Sequence, residues 1–495
     1  MPDPITRRET GKILAAAAAS PMLAASTPDI CFKTAVEMAS LIRRKKLSAR
    51  EAMDAHLKQI DRINPKVNAI VTLIADHARE NARKADEAQA RGAELGPLHG
   101  LPVAHKDLVE TAGVRTTFGS PLFKDNIPAR DAILVERIKR AGAISVGKTN
   151  TPEFGAGSQT FNTVFGATHN PYDLSKTCGG SSGGAAVSLA CGMVPIADGS
   201  DSGGSLRNPA SFCSVVGFRT APGRVPHEAI GNAWSTLGVS GPMGRTVADA
   251  ALLLSVMAGP DPRCPISITE PGARFAGNLE RSFKGARVAW FKDLGGLQFD
   301  PRIRAAVDAH RKTFESLGCI VEQAEPNLEG AGEAYDTLRA YGYLAGFAAL
   351  VKTHRDKFKD TILWEVDRAS KLSADDIGRA QTLHSHAWDQ MRIFMEKYEY
   401  FIVPSTQVPP FDITQPYITE INGVPMKNYI EWMKCCWLIS IVESPSISMP
   451  CGYTPEGLPV GLQIVGRQRD EWSVLQLAHA FEQATRAEHR RPPVV

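Results

Sequence analysis

The sequence of 495 residues lacks an excess of charge of either sign. Lys and Arg number 56 and Asp and Glu number 53, which leaves a formal net charge of +3 at pH 7. Proteins that bind nucleic acid through bulk electrostatics are strongly basic, so no nucleic-acid partner is expected. A hydrophobic content of 43% with 22% charged residues is typical of a globular protein with a large buried core.

Recognisable cysteine and histidine motifs are also absent. The nine cysteines form no C-x-x-C pair and no metal-finger spacing, so neither a zinc site nor a disulfide framework is predicted. Scattered cysteines of this kind are most often packed inside a core. The twelve histidines lie in no catalytic partner motif, which leaves a Ser-His-Asp triad without support from the sequence.

No apolar run is long enough to cross a bilayer. The longest candidate covers residues 13–25, whereas a spanning helix takes about 20 apolar residues, so no stable membrane insertion is expected. The run follows Arg7 and Arg8 and ends in small residues, as in a twin-arginine export signal. We therefore predict a removable leader over residues 1–26 and a periplasmic or secreted protein. The alternative is a helix that caps the fold of a cytoplasmic protein, but the Ala-rich run has no polar face.

Apolar residues recur at helical spacing in some segments and form short strand-like runs in others. The helical segments are residues 35–63, closed by Pro65, then 75–94, 132–141 and 472–486; the strand-like runs are residues 101–108, 143–147, 400–404 and 446–450. This alternation predicts an α/β fold. Residues from about 285 to 400 are rich in helical patterns.

One segment imitates a nucleotide-binding loop. Residues Gly142 to Thr149 fit the phosphate-loop pattern G-x-x-x-x-G-K-[ST]. That loop must follow a strand and lead into a helix, whereas here a helical segment precedes the motif and Pro152 follows it. The interior Ala-Ile-Ser-Val favours a strand, so we predict no nucleotide site.

Two segments rich in Gly and Ser lie between apolar segments, where a flexible linker is not expected. They cover residues 179–184 and 198–207. Consecutive glycines leave backbone N–H groups free to converge on one point, which is what an oxyanion hole requires. Ser205 is then a candidate nucleophile that needs a base, and Lys106 lies in an apolar, strand-like run where burial favours the neutral amine.

The first of these segments also satisfies the nucleophile-elbow pattern G-x-S-x-G over residues 179–183. An elbow needs a buried strand directly before it. The preceding residues 170–177 form a polar, turn-like stretch, so the elbow is disfavoured.

Taken together, these segments resemble the amidase signature family, the Ser–cis-Ser–Lys hydrolases. The spacing agrees as well, with 75 residues between Lys106 and Ser181 and 24 between Ser181 and Ser205. The motifs that carry the resemblance cover residues 101–107, 142–150, 179–184, 198–207, 216–219, 223–226 and 457–463.

The resemblance implies both a fold and a set of site residues. The fold is one large α/β domain over residues 27–495, with a twisted mixed β-sheet covered by helices on both faces and a variable helical pocket region over residues 285–400. The site residues are Ser205 as nucleophile, Ser181 as bridging serine after a cis peptide, Lys106 as base, the N–H groups of Ser202, Gly203, Gly204 and Ser205 as oxyanion hole, and Asp201, Arg207 and Ser182 as supporting residues. No metal or cofactor is implied.

Two departures from the family pattern stand outside the catalytic positions. Residues 219–222 replace a Lys/Arg-Pro-Thr/Ser run, and Glu443 stands where relatives commonly have Gly. Glu443 either faces the substrate cleft or pairs with a surface lysine, and the second reading is favoured.

The expected activity is hydrolysis of a small-molecule carboxylic amide through a serine acyl-enzyme. A carbamate, ester or aryl-acylamide substrate is the nearest alternative, followed by the glutaminase subunit of a tRNA-dependent amidotransferase and a non-catalytic binding protein. A homodimer is compatible with the resemblance. Several aromatic residues are pocket walls or core, and core is expected for most of them: Tyr341, Tyr343, Trp364, Trp388, Phe394, Trp432 and Trp437.

Overall fold

The computed structural model describes residues 27–228, 232–485 and 490–495. The predicted leader over residues 1–26 lies outside these ranges and stays a prediction. No helix in the described ranges is both long and apolar enough to cross a bilayer.

Helices and strands alternate along the chain. The α-helices are α1 (Thr27–Cys31), α2 (Ala35–Arg43), α3 (Ala49–Val67), α4 (Ala75–Ala90), α5 (Ile133–Arg140), α6 (Gly183–Ala190), α7 (Arg207–Phe212), α8 (Val247–Met257), α9 (Pro301–Asp308), α10 (Arg311–Ser316), α11 (Ala331–His354), α12 (Asp360–Ala369), α13 (Ala374–Lys397), α14 (Lys434–Ile441) and α15 (Glu471–Thr485). The strands are β1 (Ile70–Leu73), β2 (Pro102–Lys106), β3 (Ile144–Thr149), β4 (Phe161–Asn162), β5 (Gly166–Ala167), β6 (Ile196–Asp201), β7 (Val216–Arg219), β8 (Val239–Gly244), β9 (Arg287–Trp290), β10 (Ile320–Gln323), β11 (Tyr400–Pro404), β12 (Glu420–Ile421), β13 (Val424–Pro425), β14 (Ser446–Tyr453) and β15 (Pro459–Gly466).

Local capping explains several helix boundaries. Capping boxes start α2 at Thr34 and α3 at Ser48, where a hydroxyl accepts an N–H of the first turn and a glutamate returns the hydrogen bond. The prediction that Pro65 closes this region is wrong by two residues, because α3 continues to Val67. The helix ends where Asn68 adopts a left-handed conformation.

A mixed sheet of eleven strands organises the domain, as predicted. Its order is β1-β3-β2-β6-β8-β7-β14-β15-β11-β9-β10. Strand β2 runs parallel to both β3 and β6, the central strands pair antiparallel, and β9 is parallel to β10 and β11.

Helices cover the sheet on both faces. Successive side chains of a strand point to opposite faces, and in β2 Val103 and Ala104 belong to two different apolar clusters. Ile196 and Ala197 of the neighbouring β6 divide in the same way. Helices α3, α4 and α6 contribute to one cluster, whereas α2, α5, α8 and α15 contribute to the other. All nine cysteines are free and buried, as their scattered spacing predicts.

The region over residues 285–400 contains the three helices that flank the functional cavity. Helix α11 packs against α12, α13 and α14. A third, smaller apolar cluster joins this region to the loop after β3, and it includes Phe154, Phe347 and Phe358.

Candidate active site

The sheet brings the lysine and the second Gly/Ser segment to one edge. Strands β2 and β6 are parallel neighbours, with Ala104 opposite Ala197, so their carboxyl ends lie side by side. Lys106 ends β2 and Asp201 ends β6. The carboxylate of Asp198 also joins the two strands, because it accepts the backbone N–H of Lys106 at 3.0 Å.

Lys106 is buried among hydroxyl groups. Its Nζ donates to the Oγ atoms of Ser181 at 2.7 Å, Ser182 at 2.9 Å and Ser200 at 3.0 Å. Burial lowers the pKa of Lys106 to about 7, although the charges of Asp201 and Asp198 act in the opposite direction. A large share of this lysine is therefore neutral near pH 7.

Ser181 lies in a tight turn between residue 178 and the start of α6. The peptide bond from Gly180 to Ser181 is cis. The turn is held by its carbonyl groups, since Ser158 Oγ donates to the Gly180 oxygen at 2.9 Å and Thr160 Oγ1 to the Gly179 oxygen at 2.8 Å. These contacts fix Ser181 beside Lys106.

The loop after β6 carries Ser205 and a row of backbone amides. The N–H groups of Ser202, Gly203 and Ser205 have no acceptor among the residues that the structure describes. Gly204 differs from the prediction, because its N–H donates to Asp201 Oδ1 at 2.8 Å and is not free to hold an oxyanion.

Gly203 has no room for a side chain. A Cβ at this position would overlap the hydroxyl oxygen of Tyr335 on α11, so only glycine lets the helix approach the loop this closely. The contact places α11 directly against the candidate oxyanion hole.

A buried ion network supports the same loop. Asp201 accepts from Arg207 Nη2 at 3.0 Å and from Arg219 Nη1 at 3.3 Å. Burial alone would raise the pKa of Asp201, but Arg207 and Arg219 hold it well below its usual range. Arg207 also donates to Gln463 Oε1 at 2.8 Å, which explains why a motif near the C-terminus belongs to the site.

Both serines open into one cavity of about 420 Å³. Its apolar wall comes from Leu108, Phe154, Leu338, Phe347 and Met433, and its phenolic residues are Tyr335 and Tyr343. The only charged or titratable side chains of the described lining, apart from these tyrosines, are Asp201, His227 and Arg339. Amides and hydroxyls at one end and aromatic rings along the wall suit an uncharged substrate with an apolar group.

Most of the aromatic residues singled out in the sequence lie elsewhere, as expected. Of the seven, Tyr343 lines this cavity. Trp432 and Trp437 are buried in the core, Phe394 packs against Tyr398, and Tyr341 and Trp364 are exposed by 39% and 43%. Trp388 lines a different cavity.

Glu443 does not face the substrate cavity and does not pair with a surface lysine. It lines the same separate cavity as Trp388 and lies 3.4 Å from Nε2 of His384 on α13. The prediction of a lysine partner is therefore wrong. The φ angle of Glu443 is +59°, a backbone conformation that favours glycine, which explains the residue expected from the family pattern.

The segment that imitates a phosphate loop is a strand, as predicted. Gly147 to Thr149 lie within β3, and the side chain of Lys148 is buried. Its Nζ donates to Thr111 Oγ1 at 2.9 Å and to the carbonyl oxygen of Val109. Lys148 therefore joins β3 to the segment after β2.

Sequence reasoning missed several residues of the site. Ser200 lies inside the second Gly/Ser segment, and its one signal is that it precedes Asp201 on β6. Phe154, Phe347 and Arg339 come from segments with no motif, and only their tertiary packing brings them to the cavity.

Comparison with known proteins agrees with this geometry. The sequence matches the Amidase family over residues 51–475. The chain belongs to the amidase signature family and is an amide-hydrolysing enzyme.

Relatives with different roles are similar to the chain over almost all of its length. An acylamidase of Rhodococcus erythropolis is 34% identical, over 91% of this chain and 94% of the relative. A glutamyl-tRNA(Gln) amidotransferase subunit of Moorella thermoacetica is 36% identical, over 94% and 99%. The solved structure of a bacterial aryl acylamidase of the same family superposes with a TM-score of 0.87 at 29% identity, over 92% and 97%.

Proposed function

We propose that the protein is a monofunctional amidase that cleaves amides through an acyl-enzyme on Ser205, with Ser181 and Lys106 as the proton relay. The observation that carries the proposal is the buried amine of Lys106, 2.7 Å from Ser181 Oγ, at the wall of the cavity that contains Ser205. A neutral amine there can take a proton that a serine hydroxyl would otherwise retain.

In the first half-reaction Ser205 Oγ attacks the amide carbonyl carbon. Its proton passes to Ser181, whose own proton passes to the lone pair of Lys106. The negative oxygen that forms is held by the N–H groups of Ser202, Gly203 and Ser205, while Gly204 stays bonded to Asp201. The C–N bond then breaks, and the amine leaves with a proton returned by the same route.

In the second half-reaction water attacks the ester on Ser205. The relay takes a proton from the water and returns it to Ser205, which releases the acid and restores the starting state. Ser182 and Ser200 hold Lys106 Nζ in place throughout, through the hydrogen bonds at 2.9 and 3.0 Å.

The cavity favours an aryl or otherwise apolar amide over a charged amino acid. Phe154, Phe347 and Tyr343 offer ring faces and edges to a substrate. Of the two ionic side chains on the lining, Asp201 is consumed by Arg207 and Arg219, and Arg339 is paired with Glu365. The ammonium group of glutamine would therefore find no free carboxylate on the described lining, and an unpaired buried charge is costly.

The second candidate is the glutaminase component of an amidotransferase, favoured by the 36% identity to the amidotransferase relative from Moorella thermoacetica. The purified chain alone decides between the two. We expect it to hydrolyse acyl anilides such as acetanilide without a partner, with kcat/KM at least about 100-fold above that for L-glutamine. Liquid chromatography of the released aniline and ammonia measures both. Glutamine turnover that exceeds anilide turnover, or that needs an added partner, would support the amidotransferase role instead.

A further inference from the structure

Arg339 lies on the face of α11 that borders the substrate cavity. Tyr335, Arg339 and Tyr343 follow one another at intervals of four residues, and all three line the cavity. Side chains four residues apart lie on the same side of a helix, about 6 Å apart along its axis. Since Tyr335 contacts Gly203, Arg339 lies one helical turn beyond the candidate oxyanion hole.

Its guanidinium group is fixed from one side. Nε donates to Glu365 Oε1 at 3.0 Å, and Nη2 donates to the hydroxyl oxygens of Tyr429 at 2.7 Å and Tyr343 at 3.2 Å. Glu365 is fully buried and is itself held by the Tyr429 hydroxyl at 2.9 Å and by Arg368 Nε at 2.8 Å. The orientation of the group is therefore set before any substrate arrives.

The remaining nitrogen, Nη1, has no partner among the residues that the structure describes. Arg339 is only 8% exposed, so little water reaches it from outside the cavity. A substrate that fills the cavity would leave this donor unsatisfied unless it brings an acceptor, and an unsatisfied buried donor is costly.

The surrounding charge favours an acceptor that is rich in electrons. Two guanidinium groups, those of Arg339 and Arg368, share the single carboxylate of Glu365. Asp336 stands near Arg368, and burial raises the pKa of this carboxyl, which limits how much negative charge it adds.

We infer that Arg339 Nη1 is a substrate-recognition donor that binds a carbonyl or carboxylate oxygen carried by the substrate beyond its scissile amide. The inference rests on the amidase activity proposed above and names a substrate class for it: amides with a second oxygen acceptor. Arg339 touches no reacting atom in this account, and its contribution is to binding and alignment.

Two matched substrate series test the inference. Butyryl, succinyl and methyl-succinyl 4-nitroanilide place no acceptor, a carboxylate or an ester carbonyl on the acyl side. Acetanilide, 4-acetamidobenzoate and its methyl ester do the same on the amine side. In at least one series we expect the enzyme to prefer a substrate with the additional oxygen, and the carboxylate and ester arms separate a charged from a neutral acceptor.

The variant Arg339→Met should reduce that preference, as a ratio of kcat/KM values, by about 10- to 100-fold, mainly through KM. Arg368→Met is the matched control, because Arg368 binds the same Glu365 but does not line the cavity. It should leave the ratio within about twofold, since it removes no contact with the substrate.

The double variant Arg339→Met/Glu365→Gln keeps the local charge balanced, should the single variant fail to fold. A preference that survives the loss of Arg339, an equal loss in Arg368→Met, or the lack of any preference in the native enzyme would overturn the inference. Failure of the proposed function looks different, because neither simple anilide would then be hydrolysed by the native enzyme.

Discussion

Replacement of Ser205 by alanine should abolish amide hydrolysis without unfolding the protein. We expect kcat/KM to fall by about 10⁴-fold or more, because no other group can form the bond to the carbonyl carbon. The free energy of unfolding should change by less than about 1 kcal/mol, since the side chain faces the cavity and the described residues offer Oγ no hydrogen-bond partner. Steady-state kinetics and urea denaturation measure the two quantities.

Ser188 provides the matched control for this variant. It is a buried serine of α6 whose Oγ donates to the Gly184 carbonyl oxygen at 2.7 Å, and it does not line the cavity. Ser188→Ala should retain activity within about threefold. Activity in Ser205→Ala that approaches the native value would show that the nucleophile is another residue.

Replacement of Lys106 by methionine should lower kcat by about 10²- to 10⁴-fold, the usual contribution of a positioned base. Methionine keeps most of the buried volume and removes the amine. The native enzyme should also show a pH step that the variant lacks. The neutral amine is the active form and its pKa is about 7, so kcat/KM should rise with pH through about 7 and level off above it.

Lys148→Met controls for the loss of any buried lysine. Burial lowers the pKa of Lys148 to about 8, but its amine bonds to Thr111 and Val109 and not to the serines of the site. This variant should keep the pH step near 7. A native profile that is flat from pH 5 to 9, or a step that persists in Lys106→Met, would show that Lys106 is not the base.

The central part of the site could be predicted because its residues lie in long local motifs. Lys106 ends a short apolar run, and Ser205 follows consecutive glycines, so both stand out against their neighbours. The alternation of helical and strand-like segments was also sufficient to predict a mixed α/β sheet. The parallel pairing of β2 with β6 then accounts physically for the meeting of the lysine and the serine loop.

The cavity wall could not be predicted in this way, because its residues are distant in the chain and carry no motif. Phe154 and Phe347 meet only through the packing of α11 against the loop after β3. The partner of Glu443 is a histidine on α13, and nothing near either residue in the sequence indicates that pair. The bond from Gly204 to Asp201 depends on loop geometry, so the sequence could not show which amides stay free.

The most direct test of this account is to identify the serine that becomes acylated. The native enzyme and its Ser205→Ala variant are treated with a fluorophosphonate probe, digested, and analysed by peptide mass spectrometry. We expect one adduct, on the peptide that contains Ser205, with a labelling rate that rises as the pH passes through about 7. No adduct is expected in the variant. An adduct on Ser181 or on any other serine of an active enzyme would contradict the account.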